Sequence, residues 1–291
     1  MPEKIKKLGD SDGDGGISRR EFIQKSALLT GSAVTVGALG EFLGSATAHA
    51  AQVDPNDPAL ISSEVKFTAA DGATVGGYLS RPKGDGRNPA VIVIHEWRGQ
   101  NDHIRDVARK LAKAGYVALA PDLLSRLGGT ESFSSGEAAT KELYKLGDEM
   151  FTKDLTGAVN HLNGQNFVRA NKIGVIGFCW GGGRALMFTT RSKDLAASVI
   201  YYGENPRDID DVKNITAPAL GHYGGADERI TSGVPQLEAA MKKYGKSFEY
   251  KIYPGAPHSF NGDNNPRSYR EEAAKEAWAR TLEFFKKHLQ S

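Results

Sequence analysis

The chain has 291 residues, 40% hydrophobic and 25% charged, with 37 lysines and arginines against 35 aspartates and glutamates for a net charge of +2. That balance excludes capture of nucleic acid or anionic membrane by bulk charge. A single cysteine excludes an intrachain disulfide and any multi-cysteine metal site. The length suffices for one large α/β domain and an additional segment.

Residues 1–50 read as an export signal. A polar, charged start leads to Ser18-Arg19-Arg20-Glu21-Phe22-Ile23, and fifteen uncharged residues follow from Ser26 to Gly40. Small residues then end at Ala48-His49-Ala50, an A-x-A cleavage pattern before Ala51. The arginine pair resembles the twin-arginine export motif, which implies the export machinery as a partner and a periplasmic or secreted location. The apolar run is too short to span a bilayer, so no stable membrane insertion is expected after processing. Asp10, Asp12, Asp14, Gly15, Ile17, Ser18 and Glu21 also match an EF-hand calcium loop position by position. The segment before it is broken by Pro2, the segment after it is glycine-rich, and no second hand is present.

Residues 51–62, with two prolines and several aspartates, read as a linker, and residues 63–291 as the folded domain. Val65–Ala69 and Val75–Ser80 form a hairpin around Asp71-Gly72. Ala90–His95 is a short continuous apolar run, the pattern of a strand buried on both faces. Asp102 caps a helix from Ile104 to Ala114, which Gly115 ends. Strands follow at Tyr116–Ala120 and Lys172–Phe178, separated by one long helix over about Glu137–Leu162. A helix to about Thr190 comes next, then strands Ala196–Tyr202 and Ala219–Tyr223, helix Gln236–Tyr244, strand Phe248–Tyr253 and closing helix Ser268–Leu289. Alternation of this kind predicts a mostly parallel central sheet with helices on both faces, ligands binding beyond the C-terminal strand ends.

Gly177-Phe178-Cys179-Trp180-Gly181 lies between a strand and a helix and is a nucleophile-elbow pattern with cysteine as nucleophile. The turn is sharp, so its flanks must lack bulk, and Gly181, Gly182 and Gly183, more than the turn needs, also let the helix sit close. A thiol at a helix start gains from the dipole and from backbone amides able to hold an oxyanion. Asp227, in Gly224-Gly225-Ala226-Asp227, and His258, in Pro257-His258-Ser259-Phe260, follow in the chain order expected of orienting acid and base. The bland alternatives are a buried structural thiol and a surface-loop histidine. His95-Glu96 begins like a zinc-protease motif, but Gly99 stands where the second histidine is required. His103, His161 and His222 read as helix-surface or strand-end residues, and Trp278, Phe284 and Phe285 as core.

His95-Glu96, Gly115-Tyr116, Pro121-Asp122-Leu123, the Gly-x-Cys-x-Gly elbow, Tyr201-Tyr202-Gly203, Gly224-Gly225-x-Asp227 and His258-Ser259-Phe260 together resemble the dienelactone hydrolase family over about Glu64–Leu289. The resemblance implies an α/β-hydrolase fold, a Cys179-Asp227-His258 triad and hydrolysis of lactones or small carboxylic esters through a thioester, with no cofactor and no metal. It also implies that Glu96 contacts the resting thiol, that the backbone N–H groups of Trp97 and Trp180 form the oxyanion hole, and that Arg126 and Tyr202 bind substrate. Typical members carry a second arginine two residues after the His-Ser-Phe segment. Here that position is Gly262, with Arg98, Arg229 and Arg267 as possible replacements. A broader carboxylesterase or thioesterase with the same triad, or a non-catalytic binding protein on this fold, are the other readings.

Replacing Arg19 and Arg20 by lysine is expected to leave uncleaved chain in the cytoplasm. Cell fractionation followed by N-terminal sequencing of the exported form checks this. Normal export of the double variant would restore the calcium-loop reading.

Overall fold

The computed structural model describes residues 52–291 apart from 264, so the export signal and calcium-loop readings lie outside the described residues. Its centre is an eight-stranded sheet. In chain order the strands are β1 (Leu60–Thr68), β2 (Thr74–Pro82), β3 (Asn88–Ile94), β4 (Val117–Pro121), β5 (Val168–Phe178), β6 (Ala197–Tyr201), β7 (Ala219–Gly224) and β8 (Phe248–Tyr253). Their spatial order is β1-β2-β4-β3-β5-β6-β7-β8. The pairings β1–β2 and β2–β4 are antiparallel and all others parallel.

The helices are α1 (Asp102–Lys113), α2 (Gly136–Leu143), α3 (Asp148–Asn163), α4 (Trp180–Arg191), α5 (Glu228–Thr231), α6 (Val234–Lys243) and α7 (Glu271–Phe285). Strand β3 shows how they cover both faces. Ala90, Ile92 and Ile94 pack with Leu155, Val159 and Phe188 of α3 and α4, whereas Val91 and Val93 pack with Ile104, Leu111, Trp278 and Phe285 of α1 and α7. All five residues of that run are fully buried, because successive side chains of a strand point to opposite faces and each face here has its own helical layer.

Four differences from the sequence reading have local causes. The first hairpin is longer than its apolar pattern because β1 is an edge strand, largely exposed and held by backbone pairing to β2 rather than by buried side chains. It claims Leu60–Ser62 from the expected linker. The cap of α1 is Asn101, whose Oδ1 accepts the Ile104 N–H at 3.1 Å, and Asp102 becomes the first helical residue. The single helix expected over Glu137–Leu162 is two helices, interrupted at Tyr144–Gly147, with Gly147 in extended backbone as the N-cap of α3. The closing helix starts at Glu271 rather than Ser268 and ends in a π-turn over Lys286–Gln290.

The break between α2 and α3 matters for function. It leaves Tyr144 66% exposed, above the C-terminal edge of the sheet. Among the described residues no helix is long and apolar enough to cross a membrane.

Candidate active site

Cys179 immediately follows β5 and serves as N-cap of α4 with φ +56° and ψ −121°. A non-glycine residue in that region costs about 1–3 kcal/mol and persists only where its surroundings impose it. Here they do. The Cys179 N–H donates to the Tyr201 carbonyl at 3.0 Å, and its own carbonyl accepts from Gly182 N–H at 2.9 Å. A Cβ on Gly177 would strike the Gly181 carbonyl, one on Gly181 the His95 and Ile94 carbonyls, and one on Gly182 the Tyr201 carbonyl. Gly182 is therefore required by the close approach of α4 to β6, as expected of the glycines that follow the turn.

The loops after β7 and β8 carry the other two residues and are stitched together. Gly225 N–H donates to Tyr253 O at 2.8 Å, and Ala226 N–H donates to Ala256 O at 2.9 Å. Those bonds set Asp227 beside His258. The Nδ1 of His258 lies 2.5 Å from Asp227 Oδ2, and its Nε2 lies 3.0 Å from Cys179 Sγ. With Asp227, buried to 7% exposure, accepting the hydrogen bond from Nδ1–H, Nε2 presents a lone pair to the thiol.

Electrostatics keep the sulfur protonated at rest. Burial, then the negative charge of Glu96, push the Cys179 thiol up to about 12 against the opposing pull of the Trp180 N–H and Arg229. The helix start does favour thiolate, as its sequence position suggests, but desolvation outweighs it. Glu96 acts here as a nearby charge, and the hydrogen-bond partner of Sγ is His258.

Cys179 opens into a cavity of about 330 Å³ bounded by Trp97, Tyr144, Trp180, Tyr202, Ile230 and His258. Tyr202 is buried, has φ +41°, and its ring centroid lies 5.1 Å from that of His258. Two arginines line the same cavity, each already engaged: Arg229 with Glu204 at 2.6 Å and Arg184 with Asp148. Glu96 lies with Arg98, Gly262 and Arg267 around a second hollow of about 480 Å³, and Trp97 borders both. Among the described residues no group of three or more His, Cys, Asp or Glu side chains is placed to hold a metal ion.

Arg126 lies elsewhere. Its Nε and Nη2 donate to Asp154 Oδ1 at 3.0 and 2.8 Å, and Nη2 also reaches Asp71 Oδ1 at 2.7 Å. It is absent from the lining of the Cys179 cavity and instead ties the β1–β2 turn to α3. The family resemblance implied a substrate-binding arginine; two carboxylates distant in sequence claim the guanidinium instead.

Sequence reasoning did not single out Tyr144, Glu204 or Arg184, which also line the cavity, and no local pattern marks them. His95 had a visible signal, a histidine closing a buried strand. Its Nε2 accepts the Leu123 N–H at 3.1 Å, so Nδ1 donates to the Glu96 carbonyl at 2.7 Å, which fixes the turn bearing Glu96 and Trp97. His103 and His222 are buried rather than peripheral. His222 lies between Tyr253 Oη and Thr281 Oγ1, both at 3.1 Å, and burial lowers its pKa to about 3.

A mostly parallel sheet flanked by helices, with a strained strand-to-helix turn and a histidine between thiol and carboxylate, defines an α/β-hydrolase-type protein. The dienelactone hydrolase family model matches residues 75–289, and the chain belongs to that family. It is 33% identical over 285 residues, 94% of each chain, to a protein of Methylorubrum extorquens named "Putative carboxymethylenebutenolidase". It is 38% identical over 223 residues, 73% of this chain and 89% of the relative, to a "Probable 2-oxo-3-(5-oxofuran-2-ylidene)propanoate lactonase" of Bradyrhizobium sp.. The crystal structure of a "Putative Dienelactone Hydrolase" from Klebsiella pneumoniae superposes with a TM-score of 0.71 at 32% identity, covering 78% of this chain and 98% of that one.

Two outcomes are expected. Arg126→Ala leaves Asp154, whose side chain is 1% exposed, buried without its cation. A loss of roughly 3 kcal/mol in urea unfolding is expected, with equal effect on anionic and neutral substrates. Glu96→Gln removes a charge that raises the thiol pKa, so more thiolate is present at any pH below about 12. Iodoacetamide should then label Cys179 several-fold faster at pH 8, as read by mass spectrometry.

Proposed function

We propose that this protein hydrolyses lactones and small carboxylic esters, with Cys179 as nucleophile, His258 as acid–base and Asp227 as its orienter. The observation that carries the reading is the single imidazole set between Sγ at 3.0 Å and a buried carboxylate at 2.5 Å. A pocket that only binds has no use for nucleophile, base and orienter in series.

The chemistry begins from a neutral thiol. As the carbonyl carbon approaches Sγ, the S–H proton passes to His258 Nε2, and the new imidazolium is stabilised by Asp227. The tetrahedral oxyanion is held by the N–H groups of Trp180, already directed at the sulfur, and of Trp97. Collapse breaks the C–O bond, and the imidazolium proton goes to the departing oxygen. For a lactone, that oxygen stays tethered to the acyl group. Water, deprotonated by His258, then cleaves the thioester and returns the proton to sulfur. No step requires a cofactor or a metal. Movement of Glu96 away from the thiol when substrate arrives would release the brake on ionisation.

Neutral esters fit the cavity well. Its two arginines are neutralised by Glu204 and Asp148, and the wall of Trp97, Tyr144, Trp180 and Ile230 is apolar and aromatic. The twin-arginine segment and the Ala48-His49-Ala50 site support action outside the cytoplasm.

Cys179→Ala is expected to abolish hydrolysis of p-nitrophenyl acetate and of a five-membered lactone, and Cys179→Ser to keep a weak remnant. Rapid acid quench with a slow ester should add the acyl mass to Cys179. Full activity in the alanine variant would overturn the mechanism.

A further inference from the structure

The loop that carries His258 runs from the end of β8 at Tyr253 to the start of α7 at Glu271. It closes internal turns, among them Gly262 N–H to Ser259 O at 3.1 Å, and is also anchored to the rest of the domain. Left-handed residues flank the histidine, Gly255 at φ +66° and Ser259 at φ +60°, and the second is strained because it bears a Cβ. Part of the anchorage is apolar: Phe260 is fully buried, and its carbonyl accepts the Arg270 N–H at 3.0 Å.

Besides the backbone bonds to the loop after β7, a further part is ionic and sits on α1. Asp263, five residues after His258, places Oδ2 3.3 Å from Lys110 Nζ and Oδ1 3.5 Å from His103 Nδ1. His103 and Lys110 are seven residues apart, two turns along one helix face. The Lys110 side chain is only 3% exposed, and its other partner is Asp106 at 2.9 Å. Asp106, 2% exposed, also faces Arg109 at 3.5 Å and accepts the Val53 N–H at 2.7 Å. Tyr269 is the further titratable group that faces Asp263. Lysines are almost never buried this deeply unless paired. The cluster balances two cations against two carboxylates, and one of those carboxylates comes from the histidine loop.

We propose that Asp263 is a positioning residue of the hydrolytic site: its ion pair with Lys110 of α1 holds the His258 loop so that the imidazole faces Cys179 and Asp227 together. The hydrogen bond from His103, then the charge of Lys110, keep the Asp263 carboxyl down at about 2. The inference rests on the assignment of Cys179 and His258 made above.

The test is steady-state hydrolysis of p-nitrophenyl acetate by the mature chain carrying Asp263→Asn, with Asp263→Glu for rescue and Cys179→Ala as reference. Asp263→Asn should lower kcat about tenfold with KM within about twofold, as expected for a misplaced catalytic group, and Asp263→Glu should recover most of the loss. An imidazole no longer aligned with Asp227 holds its proton less tightly. The acid limb of the kcat/KM profile should therefore move to lower pH in Asp263→Asn, whereas a smaller folded fraction would lower the profile without moving it. Wild-type kcat and an unmoved limb in folded Asp263→Asn overturn the proposal, as does a loss that only scales with folded fraction. If Asp263→Asn does not fold, Lys110→Gln is read the same way. Loss of fold in both assigns the pair to the whole domain and also overturns it. Activity in Cys179→Ala overturns the underlying mechanism instead, so the two failures are distinguishable.

Discussion

Everything in this site depends on how closely the backbone of the β5–α4 turn approaches its neighbours. Gly177 meets the Gly181 carbonyl, Gly181 meets those of Ile94 and His95, and Gly182 meets that of Tyr201. These contacts lock three adjacent strands and one helix into a single turn, and Cys179 is held left-handed at its apex. A rigid apex is what lets one sulfur be addressed from two other loops. The bonds joining the loops after β7 and β8 then deliver Asp227 and His258 as a unit rather than as two separate side chains.

The same compactness sets the chemistry of the thiol. Burial strips water from Cys179, and the charge of Glu96 adds to that penalty, so the sulfur rests protonated despite the helix start beneath it. The protonated thiol lies within one hydrogen bond of the His258 imidazole. It also resists reagents that attack free thiolate. Charge around the cavity is handled similarly: the arginines that reach it, Arg184 and Arg229, come with their own carboxylates, and much of the remaining wall is aromatic.

Buried ion pairs recur where long loops must be pinned. Arg126 joins the first hairpin to α3 through Asp71 and Asp154. Lys110 joins α1 to the His258 loop through Asp263, and Asp106 and Arg109 fasten the chain at Val53. Such pairs add little net stability compared with apolar packing of equal volume. Their geometry is specific, however, and they fix which loop meets which helix.

The amino-acid sequence by itself determined what depends on neighbours along the chain. The apolar run at Ala90–His95 announced a strand buried on both faces, Gly115 announced the end of α1, and Gly-x-Cys-x-Gly between strand and helix announced the elbow, because turn sterics and side-chain periodicity are local. The order Cys179, Asp227, His258 was legible for a related reason, since each follows a strand whose C-terminal end must lie on one edge of a parallel sheet. What only the tertiary structure decided were interactions between residues far apart in the chain. Arg126 looked like a substrate ligand until Asp71 and Asp154 claimed it, and His103 looked peripheral until Asp263 covered it. The break that exposes Tyr144 and the desolvation that protonates Cys179 belong with these. Helix ends, buried charges and thiol ionisation are settled by which surfaces lose water to one another, and no stretch of sequence contains both partners.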